Sequence, residues 1–258
     1  MHIILLSICL STQGIQDAAV LRGGAWLPRL GGTISDGGGA IDFETNIDLR
    51  DREVLPLFEF EVEPIDNVIM ELSFFDFSTS GKGTYQGNDV YGGIIMGNGD
   101  AWSASADIQS VGAEFAWEVW EPYKKNLDTT LSFAPVAGLR WLGVKTELSN
   151  ETNIQTVQHQ NSWLAVQAGL QMDFWWDATS MEYSPFNSIA IQSQFLIGAM
   201  VGDDGGSMWS IEAGLSLGIN VSVSAFFGYR LQELNAEDGA YTFDAGLQGL
   251  FVGGEIRF

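Results

Sequence analysis

Cysteine is all but absent from this chain. Cys9 is its one example and lies in an apolar stretch at the start, so a disulfide framework is excluded. No apolar run approaches the roughly 18 residues that a membrane-spanning helix needs. Basic residues are scarce, 11 against 33 acidic ones, for a formal charge of −22. That balance excludes the basic footprint of a nucleic-acid binder and polybasic docking on an anionic leaflet. Histidine is reduced to His2 and His159, so no Cys/His metal cluster can be assembled and no cofactor is expected. The six prolines fall mostly near expected strand ends; Pro135, inside one, has no N–H to give to a ladder.

Glycine and alternation are what the chain has instead. Its 31 glycines suit tight turns and close strand packing. From Val20 onward, apolar and polar residues alternate in segments separated by Gly, Asn and Asp. The clearest segment puts Val221, Val223, Ala225, Phe227, Tyr229 and Leu231 on one face. Ser222, Ser224, Phe226, Gly228 and Arg230 take the other. Ten such strands are expected, near 19–34, 54–64, 67–78, 102–120, 128–147, 161–176, 187–201, 207–219, 221–234 and 241–258. Each reaches the 9–11 residues that cross a bilayer obliquely. The reading is all-β: an antiparallel up-and-down transmembrane β-barrel of about ten strands, over residues 20–258. Short connections alternate with long ones at 35–53, 79–101 and 148–160.

Residues 1–19 read as a signal peptide, truncated or atypical. The core Ile3-Ile-Leu-Leu-Ser-Ile-Cys-Leu10 has only His2 ahead of it, without Lys or Arg. Trp102, Trp117, Trp120, Trp141, Trp163, Trp175, Trp176 and Trp209 fall near expected strand ends, where amphipathic rings suit a membrane–water interface. The last strand, Leu250-Phe-Val-Gly-Gly-Glu-Ile-Arg-Phe258, alternates and stops on an aromatic.

The terminal Gly253-Gly-Glu-Ile-Arg-Phe258, the Ala137-Gly-Leu-Arg-Trp141 segment and the signal-like start together resemble bacterial outer-membrane β-barrel proteins, especially the small monomeric ones. The resemblance implies residence in the outer membrane of a two-membrane bacterium and contact with its lipid. It also implies use of Phe258 as a signal to the barrel-assembly machinery. It implies no particular activity.

The polar face collects four guanidinium groups, Arg22, Arg140, Arg230 and Arg257. It also collects eight carboxylates: Glu59, Glu61, Glu71, Glu114, Glu118, Asp173, Glu212 and Glu255. Charge in a narrow lumen must be paired, so a salt-bridge network filling the interior is expected. The excess of carboxylates would favour cations if a narrow pore ran through it. The favoured function is therefore non-enzymatic, an envelope structural protein or a cation-preferring channel, with acidic loops able to gather divalent cations. Glu59, Glu61 and Glu63 share a strand face, about 6.6 Å apart, an arrangement more usual for a wetted face than for glycoside hydrolysis.

Two alternatives remain. A rim hydrolase would use His159, expected in a solvated outward loop, with Glu147 or Glu151 orienting it. A secreted soluble barrel would turn its aliphatics, Val223, Phe227 and Leu215 among them, inward around a small apolar ligand.

Overall fold

The computed structural model describes residues 19–49, 51–119, 129–180, 184–201 and 204–258. Ten long strands form the barrel: β1 (Ala19–Asp36), β3 (Leu55–Ile65), β4 (Val68–Thr84), β7 (Ala101–Trp117), β8 (Thr129–Asn150), β9 (Gln155–Asp177), β10 (Ser188–Val201), β11 (Gly206–Gly218), β12 (Val223–Asp238) and β13 (Tyr241–Arg257). Neighbours in sequence pair antiparallel. β13 returns to β1 in continuous register from Val20↔Arg257 to Asp36↔Tyr241, so the ring of ten strands closes. Short β2 (Ala40–Asp42) pairs with the far end of β1, and β5 (Asp89–Tyr91) pairs with β6 (Ile94–Met96) in a separate hairpin.

Turn chemistry follows the sequence. Asp66 and Asn67 join β3 to β4, with Asn67 at φ 65°. Gly92 and Gly93, at φ 53° and 81°, make the two-residue turn of the β5–β6 hairpin, where both central residues must be left-handed. Pro135 is accommodated because the β7–β8 ladder ends at Ala116↔Val136, one residue short of it.

The direction of the alternation changes part-way up the wall. Near the end that holds both chain termini, aliphatics and aromatics look outward. Leu139, Leu170, Phe227 and Val252 are each about half exposed, while Glu59, Glu114 and Glu255 are buried inside. On β9 the outward apolar series runs from Phe174 through Met172, Leu170, Ala168 and Val166 to Leu164, one bilayer crossing in length. Beyond it the outward residues become Ser162, Gln160, Gln158 and Thr156, and the inward ones become Ala165 and Trp163. β7 switches likewise: Phe115, Ala113 and Val111 outside give way to Gln109, Asp107 and Ser105. Inside, Glu114 and Ser110 give way to Ile108, Ala106 and Ala104. The barrel thus has two storeys, a membrane storey with a polar interior and a distal storey with an apolar interior. On β9 the distal storey extends roughly 20 Å beyond the apolar belt, given the strand rise and tilt.

Two inserted segments complete the distal core. Ile41, Phe43, Ile47 and Leu49 enter from the β1–β3 connection. Tyr85, Tyr91, Ile94 and Met96 enter from the β4–β7 connection. They pack on Trp26, Phe77, Leu142, Leu148 and Phe243 from the wall. Trp26 meets Phe75 edge-on at 5.3 Å, and Phe43 meets Phe243 at 6.0 Å. Asn150 fastens the second insert by donating to the Ile95 carbonyl at 2.9 Å and to Asp100 at 2.8 Å.

Several expectations are corrected. The 148–160 loop is a four-residue turn between β8 and β9, because polar outward residues above the belt still form strand. His159 accordingly lies within β9 and faces inward. Trp102 and Trp163, 3% and 5% exposed, belong to the distal core, whereas Trp117, Trp141 and Trp209 face outward. Val223 and Phe227 point outward and Leu215 shares their face, which removes the basis of the soluble ligand carrier. Trp120 and the signal-like segment up to residue 18 lie outside the described residues.

Candidate functional site

The membrane storey is lined by a relay of alternating charge. Arg257 bonds Glu255 at 2.8 Å, and Glu255 also takes Arg22 Nε at 2.9 Å. Arg22 reaches Glu61 at 3.4 Å and Glu59 at 3.9 Å. Glu59 also pairs with Arg230, which bonds Glu212 at 2.5 Å. Five strands contribute, and the Arg230–Glu59 contact crosses the lumen. Arg230 also sits 5.6 Å from the Trp26 ring and 5.7 Å from that of Phe251, so one guanidinium joins the charged layer to the apolar layer above it.

Arg140 forms a second centre. It donates to Glu114 at 2.6 Å, Ser110 at 2.9 Å, Ser73 at 3.3 Å and Gln167 at 3.3 Å. Gly112 leaves room for it, since a Cβ there would lie 2.8 Å from the guanidinium. Gln194 closes the other Glu114 oxygen at 3.2 Å, and Gln192 accepts from Arg22 at 3.1 Å. All four arginines are therefore paired, through the planar fork that lets one cation serve several acceptors.

The other three expected lumen carboxylates have different surroundings. Asp173 accepts from Gln171 at 2.7 Å, and Glu118 takes a long bond of 3.4 Å from Ser132. Glu71 stands in register between Glu61 and Glu114 and borders two small cavities. The neutral members, Ser73, Ser110, Gln167, Gln192 and Gln194, escape a search for charges. Their signal is a Gln or Ser at every second position of an otherwise apolar strand, as in Gln192-Ser-Gln194. Cavities of about 30, 20 and 20 Å³ lie among these groups, room for a water or two each.

The distal end is laced across its diameter. His159 Nε2 lies 2.9 Å from Asp36 on the opposite wall. Its ring stacks on Tyr241 at 4.4 Å and meets Tyr91 edge-on at 6.0 Å. The Tyr241 and Thr146 hydroxyls are 3.1 Å apart. Burial pushes the Tyr91 phenol well above its usual value, so it stays protonated at neutral pH. Glu147 lies on the outward face of β8 and Glu151 in the exposed turn, so neither orients His159. Asp36, Tyr91 and Tyr241 were not signalled by spacing, because they come from three distant parts of the chain. Among the described residues, no group of three or more His, Cys, Asp or Glu side chains could hold a metal ion.

An outward apolar belt one bilayer thick, a closed antiparallel wall and an ion-paired interior decide the class. The fold is that of the outer-membrane β-barrels. No family model and no curated protein matches the sequence. Solved structures do match. The outer-membrane protease OmpT of Escherichia coli aligns over 96% of this chain and all of its own, with a TM-score of 0.52 at 7% identity. The translocator domain of autotransporter NalP from Neisseria meningitidis aligns over 95% of this chain and 90% of its own (TM-score 0.45, 11% identity). The attachment invasion locus protein Ail of Yersinia pestis aligns over 95% and 100% (TM-score 0.36, 14% identity). At these identities the likeness is one of fold.

Proposed function

We propose that the barrel is a non-enzymatic structural protein of the envelope, with its lumen closed and its distal storey displayed outside the cell. The observation that carries this reading is the filled interior. Ion pairs cross the membrane storey, and an apolar core with two inserted segments fills the storey above. The narrow cation-preferring channel rests on the carboxylate excess, but the cavities bordered by Glu71, Glu114 and Glu212 are only about 30 and 20 Å³, room for a water or two each. Single-channel recording in planar bilayers, at several salt compositions, separates the two. No conductance steps are expected. Cation-selective steps from protein that shows heat-modifiable migration would overturn the closed scaffold in favour of the channel.

The rim hydrolase finds its His–carboxylate pair in His159 and Asp36. The non-catalytic reading draws support from what surrounds that pair. One face of the imidazole is covered by Tyr241 and its edge by Tyr91, with no Ser or Cys beside it among the recorded contacts. Lipid against the belt and the barrel-assembly machinery at Phe258 are the partners this reading calls for. The Phe258 side chain is 68% exposed while its N–H is held by the Ala19 carbonyl at 3.0 Å. Divalent cations serve as counter-ions to the acidic distal surface, and nucleic acid is not a partner.

A further inference from the structure

The outer wall carries a groove that the closed-lumen reading does not use. It runs up the outward faces of β4, β7, β8 and β9, immediately beyond the apolar belt. Two cavities occupy it, of about 590 and 430 Å³, within the range of small-molecule sites. Register fixes its composition. Its first row is Asp76, Gln109, Gly143 and Ser162. The second is Ser78, Asp107, Lys145 and Gln160, and the third brings Ser80, Ser105 and Glu147 together. Lys82 and Ser103 lie one row higher. The β7 and β8 residues are half-buried, apart from the more exposed Gln109, and the β4 and β9 residues beside them are exposed. The floor is therefore the β7–β8 seam.

The end of the groove nearest the membrane is a platform. Trp141 is 39% exposed, and its six-membered ring lies over Gly143, where a Cβ would come within 2.8 Å of Cη2. Only glycine lets the indole lie down across the strand. A flat aromatic face bordered by amides, hydroxyls and carboxylates is complementary to a pyranose ring, whose C–H face is apolar and whose edge carries hydroxyl donors and acceptors. The charges are nearly balanced, with Asp76, Asp107 and Glu147 facing Lys82 and Lys145. Such a surface selects a neutral or weakly charged glycan rather than a phosphate-rich polyanion, which the carboxylates would repel.

We propose that this groove binds the saccharide chain of a glycolipid in the outer leaflet. The sugar nearest the lipid stacks on Trp141, and the following sugars run up the β7–β8 seam. Continuity with the belt argues for a lipid-anchored occupant. Val111 and Leu164 flank Trp141 in register and Leu139 and Val166 lie one row below, all exposed and apolar, so acyl chains can lie there while the glycan rises from them. The groove points away from the membrane, the direction a tethered oligosaccharide must take. The inference requires the belt to sit in a bilayer and is independent of whether the lumen conducts.

The test is native mass spectrometry of the full barrel in detergent with three probes: a diacylglycerol glycolipid bearing a neutral oligosaccharide, the same lipid truncated to its first sugar, and the released oligosaccharide. The complete glycolipid should be retained at least tenfold better than either part. Trp141→Ala should lower its retention about tenfold, the scale of an aromatic stacking contact. Trp141→Phe should retain most of it. Gly143→Ser, which lifts the ring, should behave like Trp141→Ala, and heat-modifiable migration confirms that each variant is folded. Equal retention of complete and truncated lipid, or indifference to Trp141→Ala, would overturn the proposal. Retention of the free oligosaccharide equal to that of the complete glycolipid would overturn the membrane source.

Discussion

Replacing Arg230 with Met tests whether the lumen network holds the barrel together. Arg230 bonds Glu212 at 2.5 Å and also pairs with Glu59 across the lumen. Its side chain is 13% exposed and that of Glu59 4%, so solvent does little to screen the contact. Two charge-assisted hydrogen bonds at about 1.5–3 kcal/mol each, with the cation–π contacts to Trp26 and Phe251, set the upper end of the loss. Part of that loss is recovered because Met packs against both rings. Glu59 retains only Arg22 at 3.9 Å, and Glu212 keeps no recorded cation partner. The expected cost is about 3–5 kcal/mol, the range for removing one partner of a buried pair. Most of it should come from the stranded carboxylates. The triple variant Arg230→Met, Glu59→Gln, Glu212→Gln should therefore recover at least about half, since neutral amides no longer need the cation. Urea unfolding in lipid vesicles, followed by tryptophan fluorescence and gel migration, measures both. A single variant that loses under about 1 kcal/mol would refute the reasoning. So would a triple variant no more stable than the single one.

Further predictions concern the two storeys and the chain end. Arginine placed outward on β9 should cost about 2–4 kcal/mol at Leu170, about 0–1 at Ser162 and close to nothing at Gln158, because the penalty follows depth in the bilayer; equilibrium unfolding in vesicles gives the profile, and equal costs at Leu170 and Gln158 would remove the two-storey boundary. Leu142→Ala, inside the distal core and fully buried, should cost about 2–5 kcal/mol in the same assay, as in a water-soluble core. Deleting Phe258 should lower the amount of assembled barrel in cells while leaving refolding in detergent unchanged. A matching loss in detergent would make Phe258 a structural residue rather than an assembly signal.

The sequence revealed the strand plan because alternation has a period of two on either side of the membrane boundary. The ten expected segments lie within a few residues of the observed strands at most ends. The larger departures are the distal ends of β4, β8, β9 and β12, where the strands run on past the expected boundary. Those ends were missed because polar outward residues such as Ser162, Gln160 and Gln158 read as loop when the outer face is assumed to be lipid-facing. The same assumption placed Trp102 and Trp163 at an interface, although an inward tryptophan and an interfacial one share every local feature of sequence. The charged lumen was legible for a different reason. Arg22, Arg140, Arg230 and Arg257 each alternate with apolar neighbours, and strand parity alone assigns them inward. Their individual partners were not legible, since Arg230 with Glu59 or His159 with Asp36 depends on which strands face each other across the lumen.

The reversal of polarity changes what stabilises the molecule. In the membrane storey an outward leucine exchanges chain contacts for lipid tails of equal apolarity, so side-chain burial gives little driving force and the interior must be held by charge and hydrogen bonds. In the distal storey the outer solvent is water, and burying Trp26, Phe77, Leu142 and Phe243 draws on the full hydrophobic effect. The two regimes meet at Arg230, whose guanidinium serves Glu59 and Glu212 on one side and the Trp26 and Phe251 rings on the other. A wall with a single interior chemistry would need charge pairs far above the bilayer, where water screens them, or an apolar lumen between lipid-facing strands, where no hydrophobic gain is available. Matching each interior to its exterior solvent avoids both.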